Sequence, residues 1–195
     1  CARLPRRVLK GINIPRLYGV KVAEESTCMD CFMITLTTPR LRLSGFNASD
    51  WPFFLRLRRD PEVMRYMGEL LEEPALRTLF ESRCADPGVF VLRDASGAAI
   101  GDIGLRISSK NPHEADVGYA LLPEAQGKGY ASEALKAICD YGFQQLGVHA
   151  INAWVLGSNA GSSRLLEKHG FALPRSPQLQ RQIEIVQHLG VGDQR

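Results

Sequence analysis

Apolar and polar residues alternate along residues 35–46, and this period of two predicts a β-strand. Clusters of turn residues, such as those at 94–97 and 110–112, bound further segments of strand character. These predicted strands cover residues 89–93, 99–107, 115–122 and 148–156. Apolar positions in the tail are compatible with one last strand, at Ile183, Ile185, Leu189 and Val191.

The helical period is clearest over residues 130–145. Ala131, Leu135, Ile138 and Gly142 share one face of that segment, which can pack against a sheet. Shorter helices are predicted over 51–57 after a cap at Ser49 or Asp50, from Asp60 onward, over 73–83, and over 159–169 between Asn159 and Gly170. The order strand, helices, three strands, helix, strand, helix, strand predicts an α/β protein, with a mixed sheet and helices on both faces.

Composition adds the class of protein and the domain count. Of the 195 residues, 45% are hydrophobic and 23% are charged, as in soluble globular proteins, and the length predicts one domain with an appendage. Residues 1–32 hold six basic and three acidic residues, so we interpret them as a basic N-terminal extension without function and residues 33–195 as the domain. That domain has eighteen residues of each charge, which argues against nucleic-acid binding. No stretch of about 20 apolar residues predicts a membrane span.

Cysteine usage bears on location and on metals. Five cysteines form no even set for a disulfide framework, which favours a reducing, cytoplasmic location. Cys28 and Cys31 have the spacing of a zinc pair but lack two further ligands nearby, so no metal is expected. A covalent acyl-cysteine would need a base beside Cys84 or Cys139, and the sequence places none there.

The segment QGKGYA at residues 126–131 carries the most chemical information. It joins a predicted strand to a predicted helix, whose first N–H groups lack partners and favour an anion. Gly127 and Gly129 allow a phosphate to approach the backbone, and Lys128 adds a positive charge. A Walker A loop would need Ser or Thr after Lys128, and a dinucleotide fingerprint would need Gly at Ser132, so both are excluded.

This segment resembles the pyrophosphate-binding signature of the GCN5-related N-acetyltransferases, the GNAT superfamily. Flanking segments resemble the same family in the same order: TPRLRL at 38–43, DPEVMRYMG at 60–68, DVGYALLPE at 116–124 and NAGSSRLLEKHGF at 159–171. Their order and spacing resemble the subgroup that includes the ribosomal-protein N-terminal acetyltransferases RimJ and RimL. The resemblance covers about residues 35–171 and implies a mostly antiparallel sheet with one splayed parallel strand pair.

The resemblance also implies acetyl-CoA as cosubstrate, bound between the strands at 116–122 and 148–156. Backbone groups of Leu121 and Leu122 would pair with the pantetheine arm, and Asn159 and Ser162 would lie beside the thioester. The residues that would hold the pyrophosphate are Gln126, Gly127, Lys128, Gly129, Tyr130 and Ala131.

Three residues are candidates for catalysis. Glu114 and Asp116 lie two apart on a predicted strand, so both face one side, where either can take a proton from an ammonium substrate; the alternative is a solvated strand entrance. Many relatives place a tyrosine seven residues after the helix-starting Asn, but that position here is Leu166. Ser162 is the nearest hydroxyl and would protonate the departing sulfur, unless it only bonds backbone at the helix start.

The predicted function is an acetyl-CoA-dependent N-acetyltransferase in which a primary amine attacks directly in a ternary complex. The acceptor is a protein N-terminus or a small-molecule amine, and the protein is a monomer or a homodimer. The alternative is a catalytically inactive acyl-CoA-binding module that serves as a sensor or partner protein.

Overall fold

The computed structural model describes residues 34–172 of the chain. Six strands form one sheet in sequence order, antiparallel from β1 to β5 and parallel between β5 and β6. The strands are β1 (Thr35–Thr37), β2 (Arg42–Gly45), β3 (Val89–Arg93), β4 (Ala99–Ile107), β5 (Glu114–Leu121) and β6 (Ala150–Ala153). The helices are α1 (Trp51–Arg59), α2 (Pro61–Met64), α3 (Glu73–Ala85), α4 (Tyr130–Gln145) and α5 (Ala160–Lys168). This mixed sheet with helices confirms the predicted α/β class.

The first predicted strand, residues 35–46, is two strands. β1 and β2 pair antiparallel, with Leu36 opposite Leu43, and a turn containing Pro39 separates them. The turn is closed by Thr38, whose N–H donates to the carbonyl of Leu41 over 2.9 Å. A proline within an alternating segment removes a ladder donor, and this is the physical reason that the continuous strand was wrong.

Helices cover both faces of the sheet, and β3 shows why. Val89 and Val91 point to the face that packs against Phe54 of α1 and Phe80 of α3. Phe90 and Leu92 point to the opposite face, in the core that includes α4. A strand whose residues are buried on both sides needs a layer on each side.

The helix ends follow local chemistry closely. α4 has the predicted bounds, the Asp60 carboxylate caps α2, and Gly170 adopts a φ of +82° after α5. The cap before α1 differs from the prediction: Asn47, not Ser49 or Asp50, starts a 3₁₀ turn at Ala48–Asp50 in a reciprocal capping box with Asp50.

The parallel pair is paired only at its beginning. Register partners run from Glu114 and Ala150 to Val117 and Ala153, after which β5 continues to Leu121 without β6 beside it. The predicted strand over 148–156 is therefore wrong in length, because residues 154–156 diverge from the sheet and have no ladder partner there. The segment around Ile183 to Val191 lies outside the described residues.

Candidate active site

The loop between β5 and α4 presents backbone N–H groups to a cavity. Gly127 and Gly129 have φ of +70° and +83°, a region that side chains with a Cβ rarely adopt. Gly129 is the N-cap of α4 and supplies no side-chain cap, so the first amides of that sixteen-residue helix have no such partner. The positive end of the helix dipole therefore faces the cavity, which suits a phosphate.

Arg40 and Glu133 support this loop from outside. The Arg40 guanidinium donates to the Glu133 carboxylate over 2.7 Å and to the carbonyl of Lys128 over 2.9 Å, and Thr38 Oγ1 donates to Glu133 over 2.6 Å. Burial alone would raise the pKa of Glu133, but the hydrogen bonds from Thr38 and Arg40 outweigh it and lower that pKa below its usual value. Glu133 is thus ionised and ties the loop to the β1–β2 turn.

The cavity, about 790 Å³, lies where β5 and β6 diverge. The predicted binding residues that line it are Leu121, Gln126, Gly127, Gly129, Tyr130, Ala131, Asn159 and Ser162. Its size and its open, partly apolar lining suit an extended ligand.

Two predicted binding residues do not line the cavity. Leu122 is fully buried, and its N–H and carbonyl are already bonded to Ile100 and Ala125, each over 2.9 Å. Lys128 is exposed, and its carbonyl is taken by Arg40. The structure therefore brings together eight of the ten predicted binding residues.

Ser162 makes a contact that the sequence did not suggest. Asn159 Oδ1 accepts the Ser162 N–H over 3.0 Å, as predicted for a cap, and Ser162 Oγ lies 2.9 Å from Tyr119 Oη. Burial raises the pKa of Tyr119, although the Ser162 hydrogen bond opposes this, so the phenol keeps its proton at neutral pH. The sequence offered one sign of this contact. Tyr119 lies three positions after Asp116 on β5, so its side chain lies on the opposite face of the strand.

A second cavity of about 400 Å³ meets the first at Gly118 and Tyr119, with Met67 and Trp154 also lining both. Asp116 lines this second cavity. Glu114 shares the face of Asp116, as predicted, but lines neither cavity, and its carboxylate accepts from Asn111 Nδ2 over 2.7 Å. The other charged residues of the cavity, which sequence reasoning missed, are Arg58, Arg83, Asp102 and Arg106.

Comparison with known proteins decides the family. The model of the acetyltransferase (GNAT) domain matches residues 40–172. The chain belongs to the GNAT acetyltransferase family. An uncharacterized N-acetyltransferase of Bacillus subtilis, YnaD, is 33% identical over 139 residues, which are 69% of this chain and 81% of that protein. The protein is accordingly an N-acetyltransferase.

Two further similarities concern an enzyme of stated substrate. A spermidine N(1)-acetyltransferase of Vibrio cholerae is 29% identical over 139 residues, 68% of this chain and 79% of that one. The crystal structure of a spermidine N-acetyltransferase from the same organism, in complex with CoA and spermine, superposes with a TM-score of 0.63 and 26% identity. It covers 76% of this chain and 93% of that one. The GNAT fold is therefore shown by both sequence and structure.

Within the described residues, neither a metal-binding cluster nor a cysteine thiol forms part of the site. Over residues 34–172 no group of three or more His, Cys, Asp or Glu could hold a metal ion. Burial raises the pKa of Cys139 to about 12, and Cys84 is exposed, but neither thiol lines the two cavities. None of the described helices is both long and apolar enough to cross a membrane.

Proposed function

We propose that this GNAT enzyme transfers the acetyl group of acetyl-CoA to a primary amine by direct attack in a ternary complex. The observation that carries the proposal is the meeting of the two cavities at Gly118 and Tyr119, beside Ser162. One cavity takes the thioester and the other takes the amine, so the reacting atoms meet in one place. The acceptor is a small-molecule amine or a protein N-terminus.

The cofactor cavity fits CoA by its donor set. Backbone amides from Gly127 to Ala131 bind the pyrophosphate, while Leu121 and Asn159 flank the pantetheine arm. The carbonyl of Leu121 already accepts from Gln126 Nε2 over 3.0 Å, so Gln126 orients the strand end on which the arm lies. Acetyl-CoA supplies the activated acetyl group.

Proton transfers are assigned to residues on the two faces of β5. Asp116 lies in the acceptor cavity and takes a proton from the substrate ammonium, whereas Glu114, outside the cavity, acts only through water. When the amine nitrogen bonds to the acetyl carbon and the carbon–sulfur bond breaks, Ser162 Oγ donates a proton to the sulfur. Tyr119 returns a proton to Ser162 through their 2.9 Å contact, and water carries the second proton lost by the amine nitrogen to Tyr119, so the phenol is protonated again. Asp116 releases the first proton to solvent.

The same proposal includes three further points. The enzyme resembles the RimJ and RimL subgroup, it is located in the cytoplasm, and it is a monomer or a homodimer. The motifs at 60–68, 116–124 and 159–171 support the subgroup. Membership of that subgroup would make a protein N-terminus the acceptor.

The test combines cofactor binding with turnover. Acetyl-CoA should raise the melting temperature of the protein, and amines should then release free thiol. Ser162→Ala should lower kcat at least about tenfold and leave acetyl-CoA affinity nearly unchanged, because the lost interaction belongs to the transition state. Ser163→Ala is the matched control, since Ser163 Oγ donates only to the carbonyl of Asn159 and lines neither cavity.

Three outcomes would contradict parts of this proposal. No stabilisation by millimolar acetyl-CoA would remove the whole of it. Stabilisation without thiol release across a broad amine panel would favour an inactive acyl-CoA-binding module. A kcat of Ser162→Ala within about twofold of the parent, far below the tenfold that 1.4 kcal/mol represents, would assign sulfur protonation to water.

A further inference from the structure

The acceptor cavity is assembled from charged side chains of both signs. Arg58 comes from α1, Arg83 from the last turn of α3, Asp102 and Arg106 from β4, and Asp116 from β5. Three guanidinium groups and two carboxylates leave a formal excess of one positive charge. Which of these charges are available to a ligand depends on the ion pairs within the cavity wall.

The charge of Asp102 is already paired within the cavity wall. Its carboxylate forms an ion pair with the Arg58 guanidinium, and the two side chains are 6% and 5% exposed. Arg58 is also in contact with the sulfur of Met67 at 3.6 Å. The two partners of such a buried ion pair stay together, because separating them would leave an uncompensated charge away from water.

Arg83 differs from Arg58. Its Nε is buried and has no hydrogen-bond partner among residues 34–172. Burial lowers the pKa of Arg83, which means that its positive charge is poorly solvated. The guanidinium groups of Arg58 and Arg106 also lower this pKa, whereas the carboxylates of Asp102 and Asp86 raise it. A desolvated guanidinium on a cavity wall is suited to an anion.

Arg106 adds a second cation to the same wall. Its Cα lies directly opposite Asp116 across the β4–β5 ladder, yet among the described residues its guanidinium pairs with Asp86, at 4.0 Å. The Arg106 side chain is 74% exposed. The exposed Arg106 side chain can therefore change rotamer and contact a ligand in the cavity.

Glycines keep the space between these charges open. Gly104 and Gly118 face each other across the β4–β5 ladder, between the pairs formed by Arg106 with Asp116 and by Asp102 with Ala120. A Cβ added at Gly118 would meet no atom within 4 Å. The floor of the cavity is thus bare backbone, next to the point where the acetyl group would arrive.

We propose that the acceptor is an amine that also carries an acidic group, with the amine directed toward Asp116 and Gly118 and the acid bound by Arg83 and Arg106. This inference rests on the proposed function and names its substrate class. A cavity of about 400 Å³ suits a molecule of amino-acid size. A polyamine, by contrast, would bring its second ammonium against Arg83 and Arg106, with Asp102 already committed to Arg58.

The test measures acetyl transfer by the full chain to matched amines. ω-Amino acids of two to five carbons are compared with their carboxamides and with spermidine, and tetrapeptides that begin with Asp are compared with those that begin with Asn. Each comparison is made at equal concentration of the neutral amine, since the amide changes the amine pKa. We expect kcat/KM to favour the acid over its amide by about tenfold or more, the usual range for a charge-assisted hydrogen bond. The better arm identifies a free small molecule or a peptide as the source of the acid.

Variants of Arg83 test the assignment. Arg83→Gln should bring the acid-to-amide ratio close to one, mainly through KM for the acid, and Arg83→Lys should restore part of it. Arg77→Gln, on the same helix but outside the cavity, should leave the ratio unchanged. A loss of stability in Arg83→Gln with an unchanged ratio would assign Arg83 a purely structural role and overturn the inference.

The remaining outcomes separate this inference from the proposed function. Efficient transfer to spermidine with no preference for acids would overturn the inference and leave the acetyltransferase function in place. Stabilisation by acetyl-CoA without transfer to any acidic amine would also overturn it. Failure of acetyl-CoA to stabilise the protein would overturn the proposed function itself.

Discussion

The proposed cofactor side and the proposed acceptor side of this enzyme are built in different ways. The cofactor side uses mainly two segments, 117–132 and 153–166, with a third contribution from residues 62–67, and presents backbone groups around the N-terminus of α4. The acceptor side takes one or two charged side chains from each of α1, α3, β4 and β5. One side depends on backbone conformation at a few glycines, and the other depends on tertiary packing that brings separate charges together.

This difference predicts how substitutions should behave. A backbone site fails when the required φ angle is disfavoured, whereas a side-chain site fails when a charge loses its partner or the cavity loses its space. Variants on one side should therefore change the binding of one substrate and not of the other. The variants below are ordered from the largest expected effect to the smallest.

Asp102→Asn should lower the free energy of unfolding by about 3 kcal/mol, because it leaves the buried Arg58 guanidinium without its counter-charge. Asp116→Asn should change it by less than about 0.5 kcal/mol, because Asp116 is only half-buried and forms no ion pair within residues 34–172, but should lower kcat. Chemical denaturation of both variants checks the contrast. Equal stability losses would show that the two acids of the acceptor side do not divide into a structural and a functional one.

Gly129→Val should weaken acetyl-CoA binding about 100-fold, or about 2.7 kcal/mol. The valine disfavours the φ of +83°, and its Cβ would lie 3.3 Å from the Arg40 guanidinium. Calorimetric titration measures the affinity. The control is Gly97→Val, because Gly97 has a similar φ of +84° in a turn that lines neither cavity, so it should lose stability but not affinity. Unchanged affinity in a folded Gly129→Val protein would remove the loop from the site.

Gly118→Val should raise the KM for the acceptor about tenfold and leave acetyl-CoA affinity within about twofold. Gly118 lies on the same face of β5 as Asp116, and a Cβ there would meet no atom within 4 Å, so we expect the new side chain to enter the acceptor cavity. Steady-state kinetics with each substrate varied in turn separate the two constants. An effect on acetyl-CoA alone would assign Gly118 to the cofactor side.

Glu133→Gln should weaken acetyl-CoA binding about threefold, through loosening of the Arg40 contact to the loop. The pKa of Glu133 is lower in the folded protein than the ordinary value of 4.5. The ionised carboxylate therefore stabilises the folded loop fully above pH 4.5, and this stabilisation is lost as the pH falls through the folded pKa. The difference from the parent should accordingly persist above pH 4.5 and shrink in more acidic solution. Affinities measured across this range check it, and a difference that grows toward low pH would contradict the role of the carboxylate.

Much of the proposed cofactor side follows from the sequence because its determinants are local. Gly129 before α4, Asn159 before α5 and the full length of α4 depend on residues within a few positions of one another. Resemblance to GNAT proteins used the same short motifs. Leu122 could not be judged in this way, because its N–H donates to the carbonyl of Ile100 on the neighbouring strand β4, a contact that is not local in the sequence.

What the sequence by itself determined is most of the order of elements, the GNAT family and the glycine loop before α4, because capping, left-handed glycines and hydrophobic period act over a few residues. Only the tertiary structure decided that Tyr119 meets Ser162, that Asp102 is committed to Arg58, and that Arg83 is left facing the acceptor cavity. Those contacts join residues more than 40 positions apart in the first two cases. The register of the sheet and the packing of α1 and α3 on it select such partners, and a charge in a sequence carries no mark of which opposite charge will lie beside it.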